Sequence, residues 1–453
     1  MEITEATPIY AGARGTAIKI LNRVERTDAY LDKLLDFELR SKEIADLDKS
    51  LLAEIVHGVM RWQARLDWVL NGFTHGNFSK SEINIKNSLR VALYQILFLN
   101  QVPHYAAVNE AVEFVKRLRG EKSANLVNAV LRNIIRTIDG IHYPKPEDNL
   151  IQYLSVYYSH PQWLVKRWIN RFGKEETEKL LIVNNEVPPL TLRINKLKIP
   201  AAEFLSLLEQ RNITYQGSSF IDHFIKVKSL SSISQLDVFQ KGYFSIQDES
   251  AALPVLLLGP LPGDRVIDMC AAPGGKTTFI GELMNNQGEI LAVDKYETKL
   301  RLIHTGCERL GITNVQLLVA DSSELVTEPA DKILVDVPCS GFGVLRKKPD
   351  IKWKREPEDI PRLTTLQLTL LENASRLLKP GGVLVYSTCT MEPEENEEVI
   401  GTFLAKHSEF RIDDAAAVVN KSIVSSAGFV ETFPHRHHLD GSFAARLVKD
   451  SNA

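Results

Sequence analysis

The chain has 453 residues, of which 44% are hydrophobic and 25% charged, with a net charge of −3 and a pI near 6.4. This composition is typical of a globular protein with two or three domains and a sizeable core. It excludes a chain that is basic throughout, so contacts with nucleic-acid phosphates would have to come from local basic segments. No apolar run approaches the ~20 residues of a membrane span.

The N-terminus and the cysteines indicate the compartment. Met1-Glu2-Ile3-Thr4-Glu5 lacks the basic and apolar regions of a secretory signal. The four cysteines are too few for a disulfide scaffold and lack the close pairs of a zinc site; they are Cys270, Cys307, Cys339 and Cys389. We therefore expect a cytoplasmic protein with free thiols and no metal or membrane association.

Residues 1–140 are predicted to form an all-helical domain, because apolar residues recur at three- and four-residue spacing without strand-like alternation. The predicted helices are Ala11–Val24, Leu51–Leu70, Ile83–Phe98, Ala107–Leu118 and Ser123–Arg136. Basic residues near the end of this domain are either an RNA-facing surface or solvated helix faces. They are Lys116, Arg117, Arg119, Lys122, Arg132 and Arg136.

Residues 141–245 are predicted to contain a linker and a small α/β subdomain. The linker is rich in turn and extended residues, and two amphipathic helices follow it, one to about Phe172 and the next to Asn184. The subdomain is predicted from strands at Leu190–Ile194 and Phe224–Val227 around a helix at Ala201–Arg211. It carries no aromatic motif of the kind that stacks RNA bases.

Residues 246–453 alternate strand and helix, which predicts an α/β domain with a parallel sheet covered on both faces. The predicted strands include Arg265–Met269, Ile290–Val293, Val315–Val319, Lys332–Val335, Val383–Tyr386 and Phe443–Val448. The predicted helices are Thr277–Met284, Glu297–Leu310, Leu363–Leu378 and Glu394–His407. Ligands of such sheets bind beyond the carboxyl ends of the strands.

The first of these strands runs into a glycine loop, Cys270 to Lys276, that leads into a helix. A phosphate-binding P-loop would need glycine where this loop has Cys270, and the Gly-x-Gly-x-x-Gly pattern of dinucleotide sites is also absent. Three later strands end in or near an acid, namely Asp294, Asp321 and Asp336. We therefore expect these acids and the glycine loop to line one crevice.

Two strand ends carry cysteines: Cys339 follows Asp336 and a Val-Pro pair, and Cys389 follows a Ser-Thr pair at the end of a later strand. Two thiols at one pocket suit methylation of carbon 5 of cytosine in RNA. One thiolate must add to C6 so that C5 becomes nucleophilic, and a second group must assist release after methyl transfer. Asp336 is a candidate to donate or share a proton at cytosine N3. The spacing does not decide which cysteine attacks.

Residues 240–449 resemble the Sun/NOL1/NOP2 family of S-adenosylmethionine-dependent RNA 5-methylcytosine methyltransferases, on the glycine loop, the strand-end acids and the two cysteine motifs. The resemblance implies a Rossmann-like class I methyltransferase core. It implies that Asp294 binds the ribose hydroxyls of the donor, that Asp321 lies beside the adenine and that Asp336 faces the reacting end. The residues implied to wrap the methionine part are Cys270, Ala271, Ala272, Pro273, Gly274, Gly275 and Lys276.

The same resemblance implies roles for the thiols and a substrate. Cys389 corresponds to the family's nucleophile and Cys339 to its release residue, whereas DNA cytosine methyltransferases attack with the Pro-Cys thiol. The N-terminal domain resembles a NusB-type RNA-binding domain and the small subdomain an RNA-recognition-type fold. The N-terminal domain favours 16S ribosomal RNA over transfer RNA, as free RNA or within a small-subunit assembly intermediate, and no obligate protein partner is indicated. A catalytically silent assembly factor is the other alternative, and the retention of Lys276, Asp336, Cys339 and Cys389 opposes it.

Several other residues receive definite interpretations. The basic segment from Arg346 to Arg355, which includes Trp353, is predicted to hold RNA beside the reactive site. Cys307 is predicted to be a core residue, and Cys270 to matter through its backbone. Glu394 and Glu395 are predicted to be structural, because they lie at a helix start.

Overall fold

A computed structural model describes residues 9–40, 44–76, 78–228, 230 and 233–452. The expectation about Met1 to Glu5 therefore lies outside the described residues. Among the described residues, no helix combines the length and apolarity needed to cross a bilayer.

The elements follow one another in two stretches. Residues 9–246 contain α1 (Gly12–Arg26), α2 (Leu31–Leu39), α3 (Asp46–Phe73), α4 (Ile83–Phe98), α5 (His104–Arg119), α6 (Glu121–Arg136), α7 (Leu150–Tyr157), α8 (Gln162–Asn184), β1 (Leu190–Ile194), α9 (Ala201–Gln210), β2 (Tyr215–Gly217), β3 (Phe224–Val227), α10 (Asp237–Gln240) and β4 (Phe244–Ile246). Residues 249–449 contain α11 (Glu249–Leu258), β5 (Arg265–Met269), α12 (Gly275–Leu283), β6 (Glu289–Asp294), α13 (Glu297–Leu310), β7 (Val315–Val319), β8 (Ala330–Asp336), α14 (Ile351–Lys354), α15 (Asp359–Leu377), β9 (Leu378–Thr388), α16 (Glu397–Leu404), β10 (Phe410–Ile412), β11 (Val430–Thr432), α17 (Pro434–His437) and β12 (Ser442–Lys449).

The chain divides into two compact units. The first, called the helical unit here, comprises Met1–Glu186 together with Leu345–Arg355, and the second comprises Val187–Val344 and Glu356–Ala453. The helical unit contains α1–α8 and α14. Its core is apolar side chains from α1 to α6, such as Ala17, Leu93 and Leu131, each with no exposed surface.

The predicted helices of this unit are all present, and two have breaks. Helix α3 deviates from helical backbone angles at Trp62. Helix α8 covers both amphipathic helices predicted before Asn184, and Gly173 interrupts it with φ of +79°. Glycine adopts positive φ easily. The break at Gly173 therefore explains why the apolar pattern of the first predicted helix ends at about Phe172.

The segment Leu345–Arg355 corrects the prediction of an exposed basic loop. It packs within the helical unit, where Arg346 is 5% and Lys352 1% exposed. Lys352 Nζ donates to the Arg61 carbonyl at 2.9 Å, and Arg61 Nη2 donates to the Arg346 carbonyl at 2.9 Å. Trp353 Nε1 donates to the Met60 carbonyl at 2.6 Å. The Lys352 ammonium is therefore bound to a buried carbonyl and is not presented to RNA.

This packing predicts a stability effect for the segment. Trp353→Ala should lower the free energy of unfolding of the helical unit by about 2 kcal/mol, less than a fully buried tryptophan, because the side chain is only partly buried. Chemical denaturation followed by circular dichroism measures the loss. Lys348→Ala is the matched control because Lys348 is exposed in the same segment, and equal stability of both variants would contradict the packing role.

The small subdomain of the second unit is a four-stranded antiparallel sheet in the order β2-β3-β1-β4. Leu192, Ile225 and Phe244 belong to the apolar cluster that this sheet forms with α9. The sequence indicated β1, β3 and α9, while β2 and β4 are three residues each and too short to show alternation.

The large sheet has the order β10-β12-β9-β8-β5-β6-β7, with β11 paired to β12. Strands β9, β8, β5, β6 and β7 are parallel, as predicted. Strand β12 is antiparallel to β9, and β10 and β11 are antiparallel to β12, so the sheet is mixed at this edge. The strand order reverses between β5 and β8: β6 and β7 follow on one side of β5, and β8 and β9 on the other. Sheets of the α/β class bind ligands at such a reversal.

Candidate active site at the carboxyl edge of the sheet

The predicted site residues lie at the carboxyl ends of five adjacent parallel strands. The glycine loop follows β5, Asp294 ends β6, Asp321 follows β7, Asp336 ends β8 and Cys389 follows β9. Asp336 is paired in register with Ser387 of β9, which brings the ends of β8 and β9 together. Because parallel strands end on the same edge of a sheet, residues far apart in sequence converge here.

Backbone hydrogen bonds fix the conformation of the glycine loop. Ala271 N donates to the Val293 carbonyl at 2.9 Å, and Gly274 N donates to the Ala271 carbonyl at 2.9 Å. Gly274 has φ of +100°, and a Cβ there would lie 3.1 Å from Ile303 of α13. Glycine therefore permits both the backbone conformation and the close approach of α13.

The acids after β6 and β7 differ in exposure. Asp294 is 6% exposed, and its Oδ1 accepts from Tyr296 N at 3.1 Å while Oδ2 lies 3.4 Å from Ala272 N. Asp321 accepts from the Ser323 hydroxyl at 2.6 Å and from Lys295 Nζ at 2.9 Å. These hydrogen bonds lower the pKa of Asp321 to about 2, and the bond from Ser323 contributes more than the bond from Lys295. Asp321 is therefore a carboxylate at neutral pH.

Asp336 takes part in a polar chain that joins α12, β8 and β9. Lys276 Nζ donates to Asp336 Oδ2 at 2.6 Å, and the Ser387 hydroxyl donates to Oδ1 at 2.8 Å. Burial alone would lower the pKa of Lys276, but the Asp336 carboxylate raises it above its usual value, with a smaller contribution from Cys389. The site therefore holds a lysine ammonium against Asp336 and close to a cysteine.

The two thiols are adjacent. Cys339 Sγ and Cys389 Sγ lie 3.1 Å apart, and Cys389 N donates to Cys339 Sγ at 3.3 Å. Cys339 is buried, whereas Cys389 is partly exposed. The hydrogen bond with Cys389 and burial raise the pKa of Cys339 well above its usual value. Cys339 is therefore held as a thiol beside a more accessible cysteine.

Of the other cysteines, Cys307 is in the core, as predicted. Cys307 is 7% exposed in the apolar cluster under α13, and burial raises its pKa to about 11. Burial raises the pKa of Cys270 to about 12, so this sulfur stays protonated within the glycine loop. The described residues contain no group of three or more His, Cys, Asp or Glu side chains that could hold a metal.

Two polar residues of the site were not predicted. Ser387, described above, precedes Cys389 by two positions. Asp268 has no exposed surface, accepts from the Thr277 hydroxyl at 2.6 Å, and burial raises its pKa to about 7. Its signal in the sequence is a lone acid inside the apolar strand β5, where an unsatisfied carboxylate would be costly.

A doubly wound sheet with a glycine loop after β5 and an acid at the end of β6 defines a Rossmann-like class I methyltransferase domain. The chain belongs to the RsmB/F family: residues 255–448 match the family described as 16S rRNA methyltransferase RsmB/F. Residues 11–136 match the NusB family, and residues 160–234 match the ferredoxin-like domain of RsmF/B-like methyltransferases. The small subdomain is therefore of the ferredoxin-like type, and the predicted fold class is confirmed.

Relatives extend the similarity over the whole chain. The probable ribosomal RNA small subunit methyltransferase B of Bacillus subtilis is 36% identical over 447 residues, 96% of this chain and 98% of that protein. The ribosomal RNA small subunit methyltransferase B of Yersinia enterocolitica is 34% identical over 413 residues, 90% of this chain and 92% of that one. NSun6 from Pyrococcus horikoshii with SFG superposes with a TM-score of 0.57 at 26% identity, covering 64% of this chain and 98% of that structure.

Proposed function

We propose that this protein transfers the methyl group of S-adenosylmethionine to carbon 5 of a cytosine in 16S ribosomal RNA. The observation that carries the proposal is the contact between Cys339 and Cys389, whose sulfurs lie 3.1 Å apart at the ends of neighbouring strands. A single thiol would suffice to activate C5, and a second one beside it supplies the group that the release step needs.

The crevice fits the donor in its chemistry. Asp294 is a strand-end acid suited to the ribose hydroxyls, and the glycine loop lies at the same edge of the sheet, between β5 and α12. Asp321, beside the expected adenine position, accepts hydrogen bonds as a carboxylate. When bound, S-adenosylmethionine supplies an electrophilic methyl group on a sulfonium. A structural relative was solved with SFG, an analogue of this donor.

Different residues of this chain then act in different steps of the reaction of the cytosine. The Cys389 thiolate adds to C6, and the electrons of the C5–C6 double bond become available at C5 to take the methyl group. Asp336, with Lys276, faces the base to share a proton at N3 as N3 becomes more basic. After methylation, Cys339 passes its thiol proton to the departing Cys389 sulfur and takes up the C5 proton, while the C6–sulfur bond breaks and the double bond re-forms.

The surroundings of the thiols support Cys389 as the nucleophile. It is the more accessible of the two, and the Lys276 ammonium interacts with it, which favours a thiolate. Cys339 is buried with a raised pKa, so it stays a thiol, the form suited to exchanging a proton. This assignment is the one that the family resemblance implies.

The substrate is inferred from the relatives and from the helical unit. The curated relatives are named as methyltransferases of the ribosomal small subunit. All six basic residues predicted at the end of the NusB-like region are exposed, although Lys116 pairs with Glu121 and Arg119 with Glu82. Exposed cations of the helical unit are therefore available to RNA phosphates.

The experiment that tests the function is methylation of purified RNA. The protein is incubated with S-adenosylmethionine and 16S ribosomal RNA, small-subunit particles or transfer RNA, and the nucleosides are analysed by mass spectrometry. We expect 5-methylcytidine in the 16S ribosomal RNA, supplied either as free RNA or in small-subunit particles. Methylation of transfer RNA alone would overturn the substrate, and a methylated nucleoside other than 5-methylcytidine would overturn the reaction.

Donor binding gives a separate prediction. Asp294→Ala removes the carboxylate expected to accept from both ribose hydroxyls, and the affinity for S-adenosylmethionine should fall by roughly 2–3 kcal/mol. Isothermal titration calorimetry measures this loss. Glu297→Ala is the control, because Glu297 is an exposed acid in the first turn of the next helix. Unchanged donor binding in the Asp294 variant would refute the assignment.

A further inference from the structure

A turn outside the two cysteine motifs contacts both of them. Residues Pro393–Glu395 form a 3-10 turn before α16, and Asn396 follows it. Glu395 has no exposed surface and Asn396 is 3% exposed. The sequence predicted that Glu395 is a helix-terminal acid, and in the structure its side chain is hydrogen-bonded to Ser340 and Gln367, which lie outside α16.

Glu395 holds the Cys339 loop. Its Oε1 accepts from Ser340 N, the residue directly after Cys339, at 2.8 Å. The same oxygen accepts from Gln367 Nε2 at 2.9 Å, and Gln367 Nε2 lies 3.0 Å from the carbonyl of Pro338, directly before Cys339. The backbone on both sides of the thiol is therefore fixed through one carboxylate and its amide partner.

Asn396 holds the Cys389 loop in the same manner. Its Oδ1 accepts from the Thr388 hydroxyl at 2.7 Å, and its Nδ2 donates to the Thr390 carbonyl at 3.2 Å. Thr388 and Thr390 flank Cys389. Two consecutive side chains of one turn thus fix the backbone around the two thiols, one loop each.

The cost of burying Glu395 argues against a role in packing alone. Its Oε2 has no hydrogen-bond partner, and burial raises the pKa of this carboxyl. An apolar side chain of similar volume would fill the space without that desolvation cost. What the carboxylate adds is an acceptor aimed at Ser340 N. The Tyr386 hydroxyl, which donates to the Glu395 carbonyl at 2.6 Å, fixes the turn against β9.

We infer that Glu395 and Asn396 are positioning residues that set the two thiols independently, Glu395 acting on Cys339 and Asn396 on Cys389. The inference rests on the proposed function, because it assigns Cys389 to attack and Cys339 to release. Its consequence is that substitutions at two neighbouring positions should impair different steps of one reaction.

Two RNA substrates separate these steps. With ordinary 16S RNA, a slow release step accumulates covalent enzyme–RNA complex on a denaturing gel. With RNA containing 5-fluorocytosine, the C5 substituent cannot leave as a proton, so the rate of complex formation reports attack and methyl transfer alone. Donor affinity and thermal unfolding of each variant show that it is folded.

Glu395→Met keeps the volume and removes the acceptor. We expect about tenfold slower release with complex accumulating on ordinary RNA, and complex formation on the fluorinated RNA within about threefold of wild type, since small displacements of a reacting group are costly. Glu395→Gln retains an acceptor and should restore release. If Glu395→Met does not fold, Gln367→Leu removes the bond to the Pro338 carbonyl and carries the same expectation.

Asn396→Ala should show the opposite pattern, with about tenfold slower complex formation on the fluorinated RNA and no accumulation on ordinary RNA. Asn396→Asp keeps the acceptor for Thr388 and should recover part of the rate. Glu398→Ala, at an exposed position of α16, is the control.

The inference is overturned if folded Glu395→Met releases RNA at the wild-type rate, or if both positions slow both steps equally and Gln or Asp restores neither. A wild-type protein that forms neither complex nor 5-methylcytidine would instead refute the proposed function.

Discussion

Cys389→Ala is expected to abolish both methylation and the covalent enzyme–RNA complex. Without the sulfur, no nucleophile can add to C6, and turnover should fall by about 10⁴-fold or more, as when the nucleophile of a covalent enzyme is removed. Donor binding should be unchanged, because the glycine loop and Asp294 are contributed by other strands. Denaturing gel electrophoresis with labelled RNA and mass spectrometry of its nucleosides measure the two losses.

Cys339→Ala is expected to fail in the opposite way. Cys389 still attacks and the methyl group is still transferred, but release lacks its assisting thiol, so the protein should remain attached to its RNA. The gel should show a shifted band that is absent for Cys389→Ala. The control is Cys307→Ala, which removes a buried thiol of α13 that has no part in the proposed chemistry.

The reverse pattern, a trapped complex for Cys389→Ala and none for Cys339→Ala, would exchange the two roles. Full activity in both variants would contradict a covalent mechanism.

Asp336→Asn is expected to reduce turnover by roughly 10²- to 10⁴-fold, the range for loss of a general acid or base. The amide keeps the shape and an acceptor for Lys276 or Ser387, but it cannot share a proton with cytosine N3. Single-turnover methylation with saturating donor isolates the chemical step. Calorimetry should show donor affinity close to that of the wild type.

Lys276→Met provides the companion measurement. Because Lys276 and Asp336 form one ion pair, the double variant should lose little more activity than the worse single variant. Additive losses would show that the two side chains act independently. Wild-type turnover in Asp336→Asn would exclude the carboxyl from the reaction.

Most of the site could be predicted because its residues stand at strand ends. The apolar runs of β5, β6, β8 and β9 identify the sheet, and parallel strands bring their carboxyl ends to one edge. The convergence of Asp294, Asp336 and Cys389 can therefore be predicted without knowledge of tertiary contacts. The distance between the thiols and the hydrogen bond from Cys389 N to Cys339 do not follow from spacing, since they depend on loop conformation.

The structure departs from the prediction where tertiary partners decide exposure. The basic residues from Arg346 to Arg355 were predicted to hold RNA, but Lys352 is buried and donates to the Arg61 carbonyl, a partner 291 positions away. Glu395 is a second example. The local sequence places this acid at a helix start, whereas in the structure its carboxylate accepts from Ser340 N. In both cases a charged side chain is hydrogen-bonded to a backbone group that the local pattern cannot identify.

The most direct test of the proposed function is bisulfite sequencing of ribosomal and transfer RNA from cells with and without this protein. 5-Methylcytosine resists the deamination that converts cytosine to uracil. We predict one cytosine of 16S ribosomal RNA that is protected in the presence of the wild-type protein, and unprotected when the protein is absent or replaced by Cys389→Ala. A 16S pattern that does not change on loss of the protein, or a change confined to transfer RNA, would contradict the account.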